Sequence, residues 1–525
     1  MQSDYNLLDE PWLPVRLADG AVRSMGLLEA FRRSDEIKAL AETAPPSLMA
    51  EYRLLLAIVH RALVHARGTW RDAQRVGWYR NGLPVDELCA YLEAWRHRFW
   101  LFDPEHPFMQ VAALATAAET RDKRKPWTQI SLASANGNAP VVFDHAVDVE
   151  PVAIDRAAAV AHLLGFLQFT PGGLVKTLRD ADKAGALVNT AAVLPVGETL
   201  AQTLCLALHG APLPGQPQDD LPAWERAPLT LAELRGDPVL ATGPNDRYTR
   251  QSRAVLLEPE ADGRVRWLRF AAGWALGEDT HQADPMACFR AGSDGLVRVS
   301  FNEGRAVWRD LPALVPAPQG DGQKATQAAA VVQWAAGLRL LMDDDSTQPL
   351  LVAGLASDKA KLLRWRLEQI VLPRALLVAP DRARELHGHV AQAEELHRQL
   401  RHLATDLVAA TLPDSGSKDT RSRARSVLDA GPLSSTYFAA AERALWPLMD
   451  CIARDKPAEA ETLWHRALHD AARQAWQRVL QGLGLSARVL RAEARLGPRL
   501  HGLLRQQLPA VGPAAIPSLQ PALET

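Results

Sequence analysis

The side chains best suited to chemistry in this sequence are arginines. Arg488, Arg491, Arg495 and Arg499 recur at three- and four-residue steps, which sets four guanidinium groups along one edge of a helix. Arg466, Arg473 and Arg478 decorate the helix before it. A planar fork of donors matches phosphate, so this stripe would hold a nucleic-acid backbone, each neutralised phosphate adding salt dependence. Glu459, Glu461 and Glu493 lie nearby, and ordinary surface ion pairing is the competing reading. Catalytic spacing is absent: there is no G-x-x-x-x-G-K-[ST], no H-E-x-x-H and no G-x-S-x-G. His387, His389, His397 and His402 share one helix, yet no two are three or four apart, as chelation from one face requires. Asp343, Asp344 and Asp345 have no further carboxylates at ligand spacing and read as a solvated turn. His106 stands beside Glu105 without a nucleophile. Neither a metal, nor a cofactor, nor an enzyme is expected. A hydrolase whose site is assembled from scattered residues such as His106 and His145 is a third, weaker alternative.

Composition bounds the rest. The 525 residues carry 59 basic and 61 acidic side chains, a formal charge of −2, so net charge gives no signal for nucleic acid. Ten of the basic residues are Lys, leaving Arg about five times commoner. An apolar share of 47% with 23% charged is globular composition, and the length suits several domains. No membrane-length apolar run and no leader pattern at Met1–Tyr5 are present. Cys89, Cys205, Cys288 and Cys451 lie far apart with no C-x-x-C pair. The expectation is a cytoplasmic protein with reduced thiols and no membrane contact.

Helical periodicity marks Met49–His65, Val85–Trp100 and Ala157–Phe169, the last stopped by Thr170-Pro171-Gly172-Gly173. From about Pro212 to Gly322 the chain is turn-rich with alternating pieces, followed by a helix at Gln327–Met342 and a short strand at Leu350–Val352 that ends at Gly354. Beyond Pro373 the strand signal vanishes. Leu386, Val390, Ala393, Leu396, Leu400, Leu403 and Leu407 form a bundle-type seam. Further helices are expected at Ser435–Arg454, Pro457–Leu480 and Ser486–Leu508, with a mobile Ser/Asp/Arg-rich loop at Leu412–Pro432. The expected architecture is α+β: a mixed α/β domain over 1–372, a four-helix bundle over 373–510 and a disordered tail over 511–525.

Several segments in order resemble one known family. They are Asn6–Arg16 (NLLDEPWLPVR), His106–Gln110 (HPFMQ), Asn136–Asp148 with Phe143-Asp144-His145, Phe169–Gly173 (FTPGG), Tyr248–Arg253 (YTRQSR), Asp284-Pro285-Met286, Trp308–Leu311 (WRDL) and Tyr437–Glu442 (YFAAAE). The chain resembles the CasA family, the large subunits of the type I-E CRISPR surveillance complexes called Cascade, along nearly its whole length. The resemblance implies a non-catalytic subunit near the 5′ handle of the guide RNA. Such a subunit reads the protospacer-adjacent motif (PAM) in duplex DNA, helps open the strands, contacts the other Cascade subunits and docks a helicase-nuclease.

The resemblance also assigns residues. The loop anchoring the subunit to the guide-RNA end matches Ser134–His145, with Asn136, Asn138, Phe143 and His145; Phe143 either stacks on a base or fills its own core, and the asparagines either bond or simply turn the chain. The glycine loop that approaches the PAM through the minor groove matches Pro171, Gly172 and Gly173, with Lys176 and Arg179 as phosphate contacts; a plain helix cap is the alternative. The wedge hairpin matches Ser357, Asp358, Lys359 and Ala360, with Lys359 where the family has a glutamine. The family's minor-groove lysine falls in a stretch without Lys, leaving Arg264, Arg266 and Arg269, of which Arg269 is the chosen candidate. The rival account is a helical-bundle scaffold that binds only protein partners.

Overall fold

The computed structural model describes residues 3–132, 150–173, 175–213, 218–277, 283–293, 295–302, 304–317, 326–342, 346–358 and 361–507. The chain divides into two units, Met1–Glu303 with Ala313–Arg374, and Gly304–Pro312 with Ala375–Thr525.

The first unit is built round α1 (Pro45–Arg67), a helix apolar on nearly every side and therefore buried along most of its length. Prolines occupy its first turn, where their missing N–H costs nothing, and Gly68 ends it at φ +72°. The short strand β1 (Lys125–Pro126) follows, then α2 (Arg156–Phe169), which Asp155 caps by accepting from the Ala158 N–H at 2.7 Å. The two helices cross closely at Gly165, where a Cβ would sit 2.8 Å from Ser47 Oγ; that hydroxyl donates to the Ala161 carbonyl at 2.8 Å. Next come β2 (Ala192–Pro195), the short helix α3 (Pro244–Thr249), and the hairpin β3 (Arg253–Pro259) and β4 (Val265–Ala272). β4 pairs antiparallel with β3 on one side and β1 on the other.

After α4 (Ala330–Met342), β5 (Thr347–Asp358) and β6 (Lys361–Pro373) form a long hairpin, with β2 on the other edge of β5. The strand expected to stop at Gly354 continues to Asp358. Gly354 is a close-approach position, since a Cβ there would lie 2.3 Å from the Thr190 carbonyl oxygen. The helix expected over Val85–Trp100 ends at Ala94, because Trp100–Phe102 instead pairs as a strand with Asp4–Asn6.

The second unit is helical: α5 (Pro380–Thr411), α6 (Lys418–Ala430), α7 (Leu433–Glu442), α8 (Leu445–Ala453), α9 (Pro457–Leu483) and α10 (Ala487–Gln507). The α+β class holds, but the C-terminal part has more than four helices. Ser435–Arg454 is split because Pro447 has no N–H to give and fits only within a first turn. The expected mobile loop contains α6, capped by Ser417 accepting from the Thr420 N–H at 3.1 Å and burying Thr420, Ala424 and Leu428. Gly304–Pro312, expected inside an uninterrupted first domain, joins this unit instead. Trp308 is buried against Phe438 and Trp464, with ring centroids 5.9 and 6.2 Å away, while Arg305 and Arg309 pair with Glu394 at 3.1 and 2.7 Å. No helix among the described residues is long and apolar enough to cross a membrane.

Candidate nucleic-acid interface

The loop after α2 is set by local chemistry first. Thr170 leaves the helix at φ −57°, ψ 130°, the extended conformation imposed on a residue before proline. Pro171, Gly172 and Gly173 follow, and both glycines are exposed. Neither has a left-handed φ, so the loop is not the glycine cap weighed from the sequence. A Cβ on Gly173 would meet nothing within 4 Å, and one on Gly172 would come no nearer than 3.3 Å to the Ala184 nitrogen. At Gly173 the fold places no demand for glycine; the missing side chain leaves backbone open to whatever approaches. Lys176 is exposed a few residues on.

The underside of this loop is fastened at several points. Gly173 and Asp182 exchange backbone hydrogen bonds at 3.2 and 2.9 Å, closing the loop at its neck. Thr177 accepts from the Ala272 N–H at 3.1 Å. Leu178, in the left-handed region at φ +74°, packs against a cluster of Val111, Leu114, Leu234, Ala254 and Ala271. Arg253, the first residue of β3 and 2% exposed, donates to the Pro171 carbonyl at 2.6 Å and the Lys183 carbonyl at 2.7 Å. Its guanidinium also lies 3.0 Å from the Asp182 carboxylate, which accepts in turn from the Gly273 N–H at 2.9 Å. Burial pushes the Arg253 pKa down and Asp182 opposes that shift, so the ion pair keeps the cation in a dry setting. Gly273 must be glycine, since a Cβ would stand 2.3 Å from the Arg253 nitrogen. Arg179, expected as a phosphate contact, turns inward instead: it donates to the Gly273 carbonyl, lies 3.9 Å from Asp182 and is 14% exposed.

The hairpin arginines are also engaged. Arg264 pairs with Asp262 and Arg266 with Glu260, each at 2.7 Å. Arg269 pairs with Glu258 at 2.6 Å and donates to the Arg121 carbonyl at 3.2 Å. The choice of Arg269 as a free minor-groove finger therefore meets a side chain already held by an acid across the hairpin. The wedge candidates fall at the end of the long β5–β6 hairpin, where Ser357 pairs in register with Leu362 and Asp358 with Lys361. Lys359 and Ala360 lie outside the described residues, as do Asn136, Asn138, Phe143 and His145.

On α10, Arg488, Arg491, Arg495 and Arg499 are all exposed, while Val489, Ala492, Leu496, Leu500 and Leu504 are buried. Among the described residues none of the four has an acidic partner. Glu459 is taken by Lys456 at 2.9 Å, and Glu461 lies 4.0 Å from His465. Among the described residues no group of three His, Cys, Asp or Glu side chains is placed to hold a metal ion.

Sequence reasoning named Tyr248–Arg253 and Asp284–Met286 without giving them work. They are buried supports. Arg53 of α1 binds Asp284 through two contacts at 3.0 and 2.9 Å with its guanidinium 4.4 Å from the Tyr248 ring centroid. Arg250 binds Asp246 at 2.6 Å and stacks 3.6 Å from the Trp274 ring centroid. Gln110 of the HPFMQ segment bonds the Leu101 carbonyl at 2.7 Å and the Leu257 N–H at 2.8 Å. Two polar residues at the start of a strand, Ser252 just before it and Arg253 opening it, were the available signal that β3 begins in a buried network.

Comparison with known proteins agrees with the fold and the segment order. A family model described as CRISPR-associated protein Cse1 matches residues 6–475. The CRISPR-associated protein CasA/Cse1 of Thermus thermophilus is 34% identical over 516 residues, covering 96% of this chain and 98% of that protein. A crystal structure of Thermus thermophilus CasA superposes with a TM-score of 0.81 at 32% identity, over 96% of this chain and 100% of that one. Two more distant structures share the fold. Thermobifida fusca Cse1 has a TM-score of 0.78 at 23% identity, over 97% of this chain and 98% of that one. A chain of a CRISPR RNA-guided surveillance complex has a TM-score of 0.76 at 23% identity, over 95% of this chain and 100% of that one.

Proposed function

The chain belongs to the CRISPR-associated Cse1 (CasA) family, and from that premise we propose that it is the DNA-recognising large subunit of a type I-E guide-RNA surveillance complex, Cascade. It reads the PAM of duplex DNA with the Pro171-Gly172-Gly173 loop, helps start strand opening and R-loop formation, and offers a docking surface to the helicase-nuclease. It works in the cytoplasm by binding rather than turnover, with the guide-RNA 5′ handle, the other Cascade subunits and double-stranded target as partners.

One observation carries this reading. Two exposed glycines stand over a tightly fastened support, and at Gly173 neither the backbone conformation nor the packing asks for glycine. Open backbone held at a fixed height can reach minor-groove edges that a side chain would fend off, and the degenerate pattern there suits tolerance of several flanks. Lys176 beside it supplies a phosphate contact. Arg179 is withdrawn from that role, since it serves the support.

The test is target binding by the guide-RNA complex, reconstituted with and without the chain, on duplexes with randomised flanking bases. Binding that needs the chain and enriches particular flanks is expected. Equal affinity and equal flank preference without it would replace this reading with the protein-only scaffold.

A further inference from the structure

The fastening beneath the glycine loop is asymmetric in one respect. The Gly173–Asp182 backbone bonds tie the two limbs only to each other and Leu178 holds one point, whereas the Arg253 guanidinium grips both limbs, at the Pro171 and Lys183 carbonyls, from the start of β3. The same fork reaches Asp182, which bonds Gly273 beyond the end of β4. Both ends of the β3–β4 hairpin are thus tied to both ends of the loop through one buried cation. The two Nη groups of the planar fork reach these acceptors from separate positions, whereas an ammonium gathers its donors on one nitrogen and does not cover the same span.

We infer that Arg253 is a positioning residue for flank discrimination: it fixes the height and rigidity of the glycine loop, so that the energy of reading base edges is not spent on ordering the loop. This rests on the reading of the glycine loop as the part that meets duplex DNA. A loop held in one conformation before binding avoids an ordering cost that a slack loop bears only when it docks against matching base edges. The cost bears on discrimination more than on general affinity, because phosphate contacts tolerate displacement that base-edge contacts do not. Arg253 itself is buried and acts through the backbone above it.

Three versions of the complete guide-RNA complex decide the matter: wild type, Arg253→Lys and Gly173→Val. The quantity measured is the ratio of affinities for a duplex with the flank enriched from a random library and one with a scrambled flank. Hydrogen exchange at the backbone amides of 172–183 is followed in parallel. Arg253→Lys is expected to speed exchange in the loop and to lower the ratio about tenfold, the scale of one missing charge-assisted bond. Its affinity for the scrambled flank, and the salt slope of that affinity, stay at wild-type values. A wild-type ratio in Arg253→Lys, with a collapsed ratio in Gly173→Val, overturns the positioning role and leaves the glycine-loop reading intact. A wild-type ratio in Gly173→Val overturns the glycine-loop reading, and the positioning role with it. If Arg253→Lys does not assemble, Asp182→Asn, which removes the charge facing Arg253, takes its place under the same expectations.

Discussion

Arg53, Arg250 and Arg253 are each at most 2% exposed, and each faces one acid: Asp284 at 2.9 Å, Asp246 at 2.6 Å and Asp182 at 3.0 Å. Asp284 sits below the usual carboxylate range although full burial opposes that, because the Arg53 guanidinium and the Met286 N–H stabilise its charge. Arg250 and Asp246 are four positions apart, but the other two pairs were invisible in the sequence: Arg53 and Asp284 are 231 positions apart and no spacing links them. The order of the family segments was legible, but not their work: Tyr248–Arg253 supplies the Arg253 under the loop, while Trp308–Leu311 and Tyr437–Glu442 pack the helical unit. Burial also sets an acid sensitivity. His60 lies in the core with its pKa lowered to about 3, first by desolvation and further by Arg61, while its bond to the Gly210 carbonyl opposes the shift. Stacked against it at 3.5 Å, His209 is depressed as well, and Asp220 lies 3.8 Å from His209. The folded value lies below the unfolded one near 6.5. The stabilisation of neutral His60 is therefore complete above pH 6.5 and drains as pH falls from there toward 3. Denaturation curves of wild type and His60→Gln should diverge in their pH dependence, wild type losing about 2 kcal/mol more by pH 5 than above pH 7. Parallel curves would mean that the buried ring exchanges its proton freely in the folded state.

At the scale of elements, long apolar seams were the readable part. α5, α9 and α10 follow their 3.6-residue periodicity, and α2 stops where Thr170 meets Pro171. α6 escaped because three buried positions, Thr420, Ala424 and Leu428, are too sparse a stripe in a segment rich in Ser and Arg. β5 was cut short because a glycine within a strand reads as its end, whereas Gly354 marks where another backbone comes close. α10 shows the opposite case, a surface pattern whose meaning survives folding. Its four arginines, for which surface ion pairing with neighbouring acids was the competing reading, stand exposed without acidic partners among the described residues. Charge reversal at Arg488 and Arg491 should weaken binding of the assembled complex to all duplex targets alike, reducing the salt slope by about one unit for each phosphate no longer neutralised. An unchanged affinity and slope would mark the stripe as a solvated face.

For the whole molecule, a charge of −2 conceals a division of labour between cations neutralised inside and cations left at the surface. The more consequential feature is that the helical unit is not one continuous stretch of chain, since Gly304–Pro312 belongs to it. Trp308 fills a site among Trp464 and Phe438, and Arg309 stacks 3.5 Å from the Phe438 ring centroid. Trp308→Ala should destabilise that unit by about 3–5 kcal/mol, the usual cost of emptying a large aromatic site, read as an earlier unfolding transition. A transition at the wild-type position would show that the tryptophan is dispensable there. The arrangement also has a history on the ribosome. Trp308 emerges well before the helices that cover it, and Trp464 follows 156 residues later. At roughly 5–20 residues per second, a bare indole flanked by Arg305 and Arg309 waits about 10–30 s for its partners to be made. Arg305 and Arg309 stand beside that indole where gatekeeper charges stand beside apolar segments, and the same two close on Glu394 once it has been synthesised.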